Sequence, residues 1–398
     1  MTPRQFFFAP IVLPRYNCRT DQKFLIGAAS HKVSGMAAGV RSQASPSIIV
    51  SSPIVTASRG PRHFNGFVCH DQRLACAYLP AINVRGLNRV YAALVYLTFA
   101  MRRIRSGDGV VFYNYFPEYV PVAAFLRWRL GREKVVMDLE DGPRADERDL
   151  RGYVSRLSLR LMSRICSRRT IVVSRQLADL MNIEDACVVN GVSPEIEPQR
   201  AEFGAPVTFL YGGSIETSTG LDVFAAGLRE LARTQPELAA RTHFVVTGFG
   251  GAKELAALAE ELSPSGFKLD VRQDIGADEY KQILAQADVG LSLRLPGSEI
   301  NATTFPSKVI ELASHGLLVL TTDISDISLL FDRDTAAILT DATGPALADL
   351  LTKIASDPQR YERVAAAGQR RIVDQCSRRS VGRRLVEFLG VTPASTTQ

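Results

Sequence analysis

Phe209-Leu-Tyr-Gly-Gly-Ser-Ile-Glu-Thr-Ser-Thr-Gly-Leu-Asp-Val-Phe224 reads as a buried strand, a polar loop and the start of a helix. Gly212 and Gly213 fall where the strand stops, so backbone N–H groups there are open to close approach by an anion. The helix start beyond them adds partial positive charge. A plain strand–turn–helix with glycines for tight packing carries the same pattern.

The alternation extends in both directions. Downstream, strands are expected at Val207–Tyr211, His243–Thr247, Leu269–Gln273, Val289–Leu293 and Leu317–Thr321. Helices are expected between them at Leu221–Thr234, Lys253–Leu262, Asp278–Ala285 and Pro306–His315. Upstream, β-branched runs such as Phe6–Val12, Ser47–Val50, Val110–Tyr113, Val135–Leu139 and Thr170–Val173 alternate with helical stretches. Those stretches are Lys32–Gln43, Leu87–Arg105, Val120–Leu130, Glu147–Ser167 and Arg175–Met181. Strands separated by helices imply right-handed crossovers and parallel sheets covered on both faces. Ser193–Pro206 holds three prolines and reads as a linker. The expected fold class is α/β, two doubly wound Rossmann-like domains facing a cleft, with ligand at the strand carboxyl ends. The expected boundaries are 1–195, a linker at 196–206, 207–377, a C-terminal helix at 378–391 that packs back on the first domain, and a disordered tail at 392–398.

Composition narrows the classes. The chain has 398 residues, 46% apolar and 22% charged, which suits two or three packed domains rather than a disordered chain. Its longest uncharged apolar run, Val90 to Met101, is twelve residues, where a spanning helix needs about twenty. The Phe6-Phe7-Phe8 start runs into Pro10 and reads as a first strand rather than a signal peptide. Six cysteines without metal-ligand spacing read as reduced core thiols, and no metal site is expected. Residues 1–200 hold 28 Lys and Arg against 16 Asp and Glu, whereas residues 201–398 hold 19 against 25. The basic half suits an anionic membrane or acceptor. Nucleic acid is not expected, for no zinc finger, ribonucleoprotein sequence or helix-turn-helix accompanies the charge.

Thr303-Thr-Phe-Pro-Ser-Lys-Val-Ile-Glu-Leu-Ala-Ser-His-Gly316 is the sharpest local pattern. Pro306 favours a first helical turn, placing Thr304 or Phe305 at the cap and Ser307 and Lys308 in that turn. Lys308 and Glu311 are three apart and share a face, which gives a phosphate-binding cation beside a carboxylate able to accept from sugar hydroxyls. A capped helix with an i,i+3 ion pair has the same spacing. Gly248-Phe249-Gly250-Gly251 is not a dinucleotide fingerprint, because Lys253 stands where its third glycine belongs. In the first half, Asp138-Leu-Glu140-Asp141-Gly142 closes a strand, and Asn114 and Tyr115 close the one before it. Such acids and amides can orient an acceptor hydroxyl, or simply cap a helix. His31, Lys32 and Ser34 stand near the first helix start and are candidates for the diphosphate from the acceptor side. Arg156, Arg160, Arg164 and Arg168 recur every four residues beside Leu157, Leu161 and Ile165, a stripe that is either a solvated face or a contact with anionic lipid.

These motifs resemble the donor domain of GT-B-fold glycosyltransferases of the retaining family-4 type. The resemblance rests on the strand-Gly-Gly start, Thr247-Gly-Phe-Gly, Leu284-Ala-Gln-Ala-Asp-Val-Gly290 and above all the Pro-Ser-Lys-x-x-Glu-Leu-Ala-x-x-Gly helix. Val172-Val-Ser-Arg-Gln-Leu177 and Val188-Val-Asn-Gly-Val192 resemble the end of the acceptor domain more loosely. The resemblance implies a nucleotide-diphosphate sugar donor, with Glu311 as the second Glu of the family's E-x7-E motif, on the ribose. The first Glu falls at Thr303, and the family's Arg and Lys after the first donor strand fall at Ser214 and Thr219. Lys308, Gly212, Gly213 and Arg294 are then expected to supply the diphosphate site, and Asn301, Thr303 and Thr304 to face the sugar. Ser214, Gly248, Phe249, Ile275, Glu299 and Ser307 complete the donor-side set.

The expected activity is transfer of a sugar to a glycan or lipid-linked acceptor with retention, in bacterial surface polysaccharide assembly. Lys308, Glu311, Asp141 and Asn114 are the expected catalytic set; His31, Tyr115, Glu140, Arg156, Arg160 and Arg164 lie on the acceptor or membrane side. No cofactor beyond the nucleotide sugar is expected, and the expected location is cytoplasmic, peripheral at the inner membrane face. The rivals are a sugar-nucleotide epimerase or hydrolase on the same fold and a catalytically silent membrane scaffold.

Overall fold

The computed structural model describes residues 3–13, 27–52, 63–71, 74–84, 86–142, 149–193, 202–295, 297 and 303–391. The chain forms two compact units, Met1–Val192 with Ser377–Gln398, and Ser193–Cys376.

The first unit begins with strand β1 (Gln5–Phe8), followed by helix α1 (Gly27–Gln43) and β2 (Ser47–Ser51). The short β3 (His63–Phe64), β4 (Phe67–Asp71), β5 (Leu74–Tyr78) and β6 (Ala81–Ile82) come next, then helix α2 (Leu87–Arg103). β7 (Gly109–Tyr113), α3 (Tyr119–Leu130), β8 (Val135–Leu139), α4 (Leu150–Ile165), β9 (Thr170–Val172), α5 (Arg175–Leu180) and β10 (Ala186–Val188) complete the run. The eight-stranded sheet has the order β10-β9-β8-β7-β1-β2-β5-β4, with only β4 antiparallel to its neighbour. β1 lies inside it, paired in parallel with β2 and β7. The chain winds outward from β1 in both directions, so the β1/β7 junction is the topological switch point.

Alternation along β1 explains its three phenylalanines. Phe7 points into a core with Met36 and Val40 of α1. Phe6 and Phe8 point the other way, where Phe8 packs 5.4 Å from Tyr96 of α2 and 4.9 Å from Phe112. The strand is shorter than the expected Phe6–Val12, because only Gln5–Phe8 has ladder partners on both sides. α4 was expected from Glu147; it starts at Leu150 because the Asp149 carboxylate accepts the Gly152 N–H at 2.9 Å as its cap. Cys69, Cys76, Cys166 and Cys376 are buried free thiols and Cys187 is half-buried; Cys18 lies outside the described residues.

The second unit has β11 (Val207–Ser214), α6 (Leu221–Thr234), β12 (Thr242–Phe249), α7 (Ala252–Leu262), β13 (Lys268–Gln273), α8 (Ala277–Gln286) and β14 (Val289–Ser292). It continues with α9 (Lys308–Ser314), β15 (Leu318–Thr322), β16 (Ala337–Leu339), α10 (Gly344–Ser356) and α11 (Pro358–Cys376). Its six-stranded sheet is wholly parallel in the order β13-β12-β11-β14-β15-β16, which puts the switch point between β11 and β14. β11 and β12 run further than expected, so Gly212, Gly213 and Gly248 lie inside paired strands.

The chain then returns to the first unit. α12 (Arg378–Leu389), capped by the Ser377 hydroxyl, packs on α1. The two helices cross at Gly39 and Gly382: a Cβ on Gly39 would lie 2.9 Å from the Gly382 Cα. Gly39→Val is therefore expected to cost about 1–3 kcal/mol through overpacking, read as a lower Tm. Gly107→Ala, whose added Cβ would meet only Pro3 at 4.0 Å, should leave the Tm unchanged.

Candidate active site

In the second unit the ends of β11 and β12 carry bare backbone. Gly213 has φ +114° and Gly248 φ +126°, and a Cβ on Gly248 would overlap the Gly213 carbonyl oxygen. Only glycine fits that approach. Above this backbone stands Lys308: its Nζ would be 3.5 Å from a Cβ on Gly212 and 3.7 Å from one on Gly213. The ammonium is 3.9 Å from Glu311 Oε2 and 5.1 Å from the centre of the Tyr280 ring. The Tyr280 hydroxyl donates to Glu311 at 3.2 Å.

Burial holds Lys308 below its ordinary value, and Glu311 offsets this only in part. A cation so placed gains from an added anion. Tyr280, contributed by α8, has no motif around it and was not among the expected residues; burial and then Glu311 raise its phenol.

The helix carrying Lys308 is shorter than expected. α9 starts at Lys308 itself, with Ser307 at the cap position and Pro306 before it rather than in the first turn. Tight bonds from Val309 N–H to the Pro306 carbonyl and from Ile310 N–H to the Ser307 carbonyl close that corner. Glu311 consequently lies in the first turn and not one turn deeper.

Arg294, just past β14, donates to the Thr304 hydroxyl at 3.1 Å, which joins two expected donor residues. Ser214 and Thr219 are tied to each other, the Thr219 hydroxyl donating to the Ser214 carbonyl at 2.7 Å. That loop is closed by its own hydrogen bonds and carries no cation. Phe249 is exposed beside Gly248, Ile275 is half-buried before α8, and Thr303 is half-buried. Glu299 and Asn301 lie outside the described residues.

In the first unit the acids at the end of β8 have a partner that was expected elsewhere. Lys32 is not free at a helix start; it lies inside α1 on the row Ala29, Lys32, Met36, Val40 that faces the core. Its ammonium pairs with Asp138 at 3.2 Å and with Glu140, so it is not available to a diphosphate. Burial opposes the Lys32 charge, but the two carboxylates outweigh burial and raise it. One cation cannot balance two buried carboxylates, and burial raises both Asp138 and Glu140 against the pull of Lys32.

Asn114, at φ +60°, donates from Nδ2 to Asp141 at 3.0 Å, and its backbone N–H bonds to the Asp138 carbonyl. The buried Asn114 Oδ1 and Asp138 Oδ2 have no hydrogen-bond partner among the described residues. Tyr115 donates to the Gly142 carbonyl at 3.3 Å. A cavity of about 970 Å³ opens here, lined by Asn114 and Tyr115, by Arg89 on α2 and by Arg151 and Ser155 on α4.

His31 is an exposed residue of α1, with no place in this cluster. On α4, Arg160 and Arg164 are exposed and Arg156 is half-buried, while Arg168 lies beyond the helix. The expected apolar row is not the packed one: Leu159 and Met162 are buried, and Leu157 is 42% exposed.

Residues 228–387 match the family described as glycosyl transferase-like. The chain has the GT-B fold, and its residues 228–387 are similar to that family. Similar solved structures cover it end to end. A Burkholderia xenovorans α,α-trehalose-phosphate synthase (UDP-forming) in complex with glucose-6-phosphate is 11% identical, with TM-score 0.67, over 98% of this chain and 100% of that one. An E. coli trehalose-6-phosphate protein bound with UDP-2-fluoro glucose is 12% identical, with TM-score 0.65 and the same coverage. Anabaena HepE in complex with UDP is 13% identical, with TM-score 0.61 over 98% and 100%. No curated protein matches the chain. Among the described residues no helix is long and apolar enough to cross a membrane.

The acid cluster has a pH signature. A carboxyl whose folded value is raised loses stabilisation as pH climbs from its unfolded to its folded value. For Glu140 that window runs from 4.5 to about 8. The Tm of Glu140→Gln should therefore gain on the wild type as pH rises through this window and match its trend below it. Lys32→Met, which strands Asp138, should cost about 3–5 kcal/mol.

Proposed function

We propose that the protein transfers a sugar from a nucleotide-diphosphate donor to an acceptor hydroxyl. The observation that carries this is Lys308, held below its ordinary value over the bare Gly212–Gly213 backbone with Glu311 beside it. Lys308 and the backbone N–H groups hold the diphosphate, Glu311 accepts from the ribose hydroxyls, and Thr303 and Thr304 face the donor sugar. Tyr280 orients Glu311 and shields Lys308.

Among the described residues of the second-unit cluster no side chain is an obvious nucleophile, which favours front-face transfer with retention. The bond from the anomeric carbon to the phosphate oxygen breaks as the bond to the acceptor oxygen forms. The acceptor proton passes to the departing phosphate, whose charge Lys308 stabilises. UDP is the first nucleotide to test, since the E. coli and Anabaena neighbours hold UDP compounds. Asn114, Tyr115, Asp141, Arg89 and Arg151 around the first-unit cavity suit a hydroxylated acceptor that also carries an anionic group, such as a lipid-linked glycan phosphate in surface polysaccharide assembly.

The experiment is a thermal-shift series with UDP, GDP, ADP, CMP and TDP and their sugar conjugates, followed by transfer assays with the base that binds. One nucleotide should stabilise the protein, by about 2.7 kcal/mol at a hundredfold excess over its Kd. Lys308→Ala and Glu311→Ala should abolish that shift, and Lys308→Ala should lower kcat by about 10²–10³. Donor consumption without acceptor would move the assignment to a hydrolase or epimerase. Binding without turnover would move it to a scaffold, the reading that the cation-free Ser214–Thr219 loop favours.

A further inference from the structure

Helices α2, α3 and α4 of the first unit carry a surface that sugar transfer does not require. α3 packs against both α2 and α4. In their 17, 12 and 16 residues there are nine arginines and no aspartate, glutamate or lysine. An ordinary solvated surface mixes both signs.

Apart from Ser163, the exposed side chains between these arginines are largely apolar. On α2, Leu87, Val90, Leu94 and Met101 recur at helical spacing and are 47–59% exposed, while Ala92, Tyr96 and Ala100 on the opposite side are buried. On α4, Leu150, Tyr153 and Leu157 form the matching outward row, and Arg160 and Arg164 continue it. Between them α3 projects Trp128, the only tryptophan of the chain and 80% exposed, flanked by exposed Arg127 and Arg129. Single exposed apolar residues need no explanation, but outward apolar rows on adjacent helices do.

We propose that this three-helix face docks on a bilayer surface bearing anionic lipid headgroups. Arg89 is paired with Glu118 at 2.8 Å, and the net positive charge of the three helices complements that surface. The leucines, Val90 and Met101 enter the boundary between headgroups and acyl chains, and Trp128 and Tyr153 sit at the interface that aromatic side chains with a polar edge favour. A nucleic acid would use the arginines but leave the Leu and Val rows in water. The face also shares an edge with the first-unit cavity, for Arg89 and Arg151 belong to the first turns of the same α2 and α4. All of it lies within the first unit and does not depend on the donor-site reading.

Trp128 provides the readout. The full chain is titrated with phosphatidylcholine vesicles with and without phosphatidylglycerol, following tryptophan emission and co-sedimentation. Vesicles containing phosphatidylglycerol should shift the emission to the blue and sediment the protein; phosphatidylcholine alone should do neither, and high salt should reverse both. Arg102→Glu/Arg129→Glu/Arg160→Glu should weaken partitioning by about tenfold or more, with an unchanged far-ultraviolet spectrum. Leu94→Ser/Leu157→Ser, which leaves the charge intact, should weaken it too. Wild-type partitioning of either variant would overturn the proposal. So would a Trp128 shift with a DNA duplex and none with vesicles, or a dimer that buries Trp128 before lipid is added. The nucleotide thermal shift is read separately, so failure here leaves the donor assignment standing.

Discussion

Parallel pairing is the constraint from which the rest follows. Every ladder of the two large sheets except β4–β5 is parallel. A parallel ladder needs a crossover for each strand, so both faces are buried and the strands all end along one edge. That requirement puts Phe7 and its neighbours Phe6 and Phe8 into two different helix layers. It also gathers Gly212, Gly248 and Arg294 along one margin of the second sheet, and Asn114 and Glu140 along one margin of the first. Functional groups far apart in sequence meet there because the chain can return to no other place.

Two lysines at these margins show opposite electrostatic states. Lys32 is surrounded by more carboxylate than it can neutralise, and it serves the interior of its own unit. Among the described residues Lys308 has one carboxylate at 3.9 Å and an aromatic ring, which leaves it short of negative charge. The difference separates a structural charge cluster from a site prepared for an anionic ligand. Charge type and position along the chain do not distinguish the two; the number of acids within reach does.

Local pattern carried the fold a long way. Val135–Leu139 and Leu221–Thr234 appear with the expected bounds, and the C-terminal helix expected at 378–391 ends two residues early at Leu389, because each has regular apolar spacing between clear breaks. Leu74–Tyr78 escaped notice since its residues are buried on both sides and show no alternation. Gly344–Ser356 and Pro358–Cys376 also went unread; their prolines open the helices rather than break them. In the candidate site, Lys308, Glu311 and the two glycines were legible because they sit in two short motifs. Tyr280 and the Lys32–Asp138 pair were not, being brought together from separate elements, the latter 106 residues apart. The one available signal for Lys32 was its place on the otherwise apolar row of α1.

The return of α12 to α1 has a consequence for biosynthesis. The first unit's core contains Val381, Leu385 and Val386 together with Phe7, Met36 and Val40. Val381, Leu385 and Val386 leave the ribosome only after the whole of Ser193–Cys376 has been made. The second unit is continuous and can complete itself during translation. The first must wait with the α1 surface uncovered, a stretch where chaperones and proteases gain access. Helix–helix closure at Gly39 and Gly382 is thus the event that covers the α1 surface.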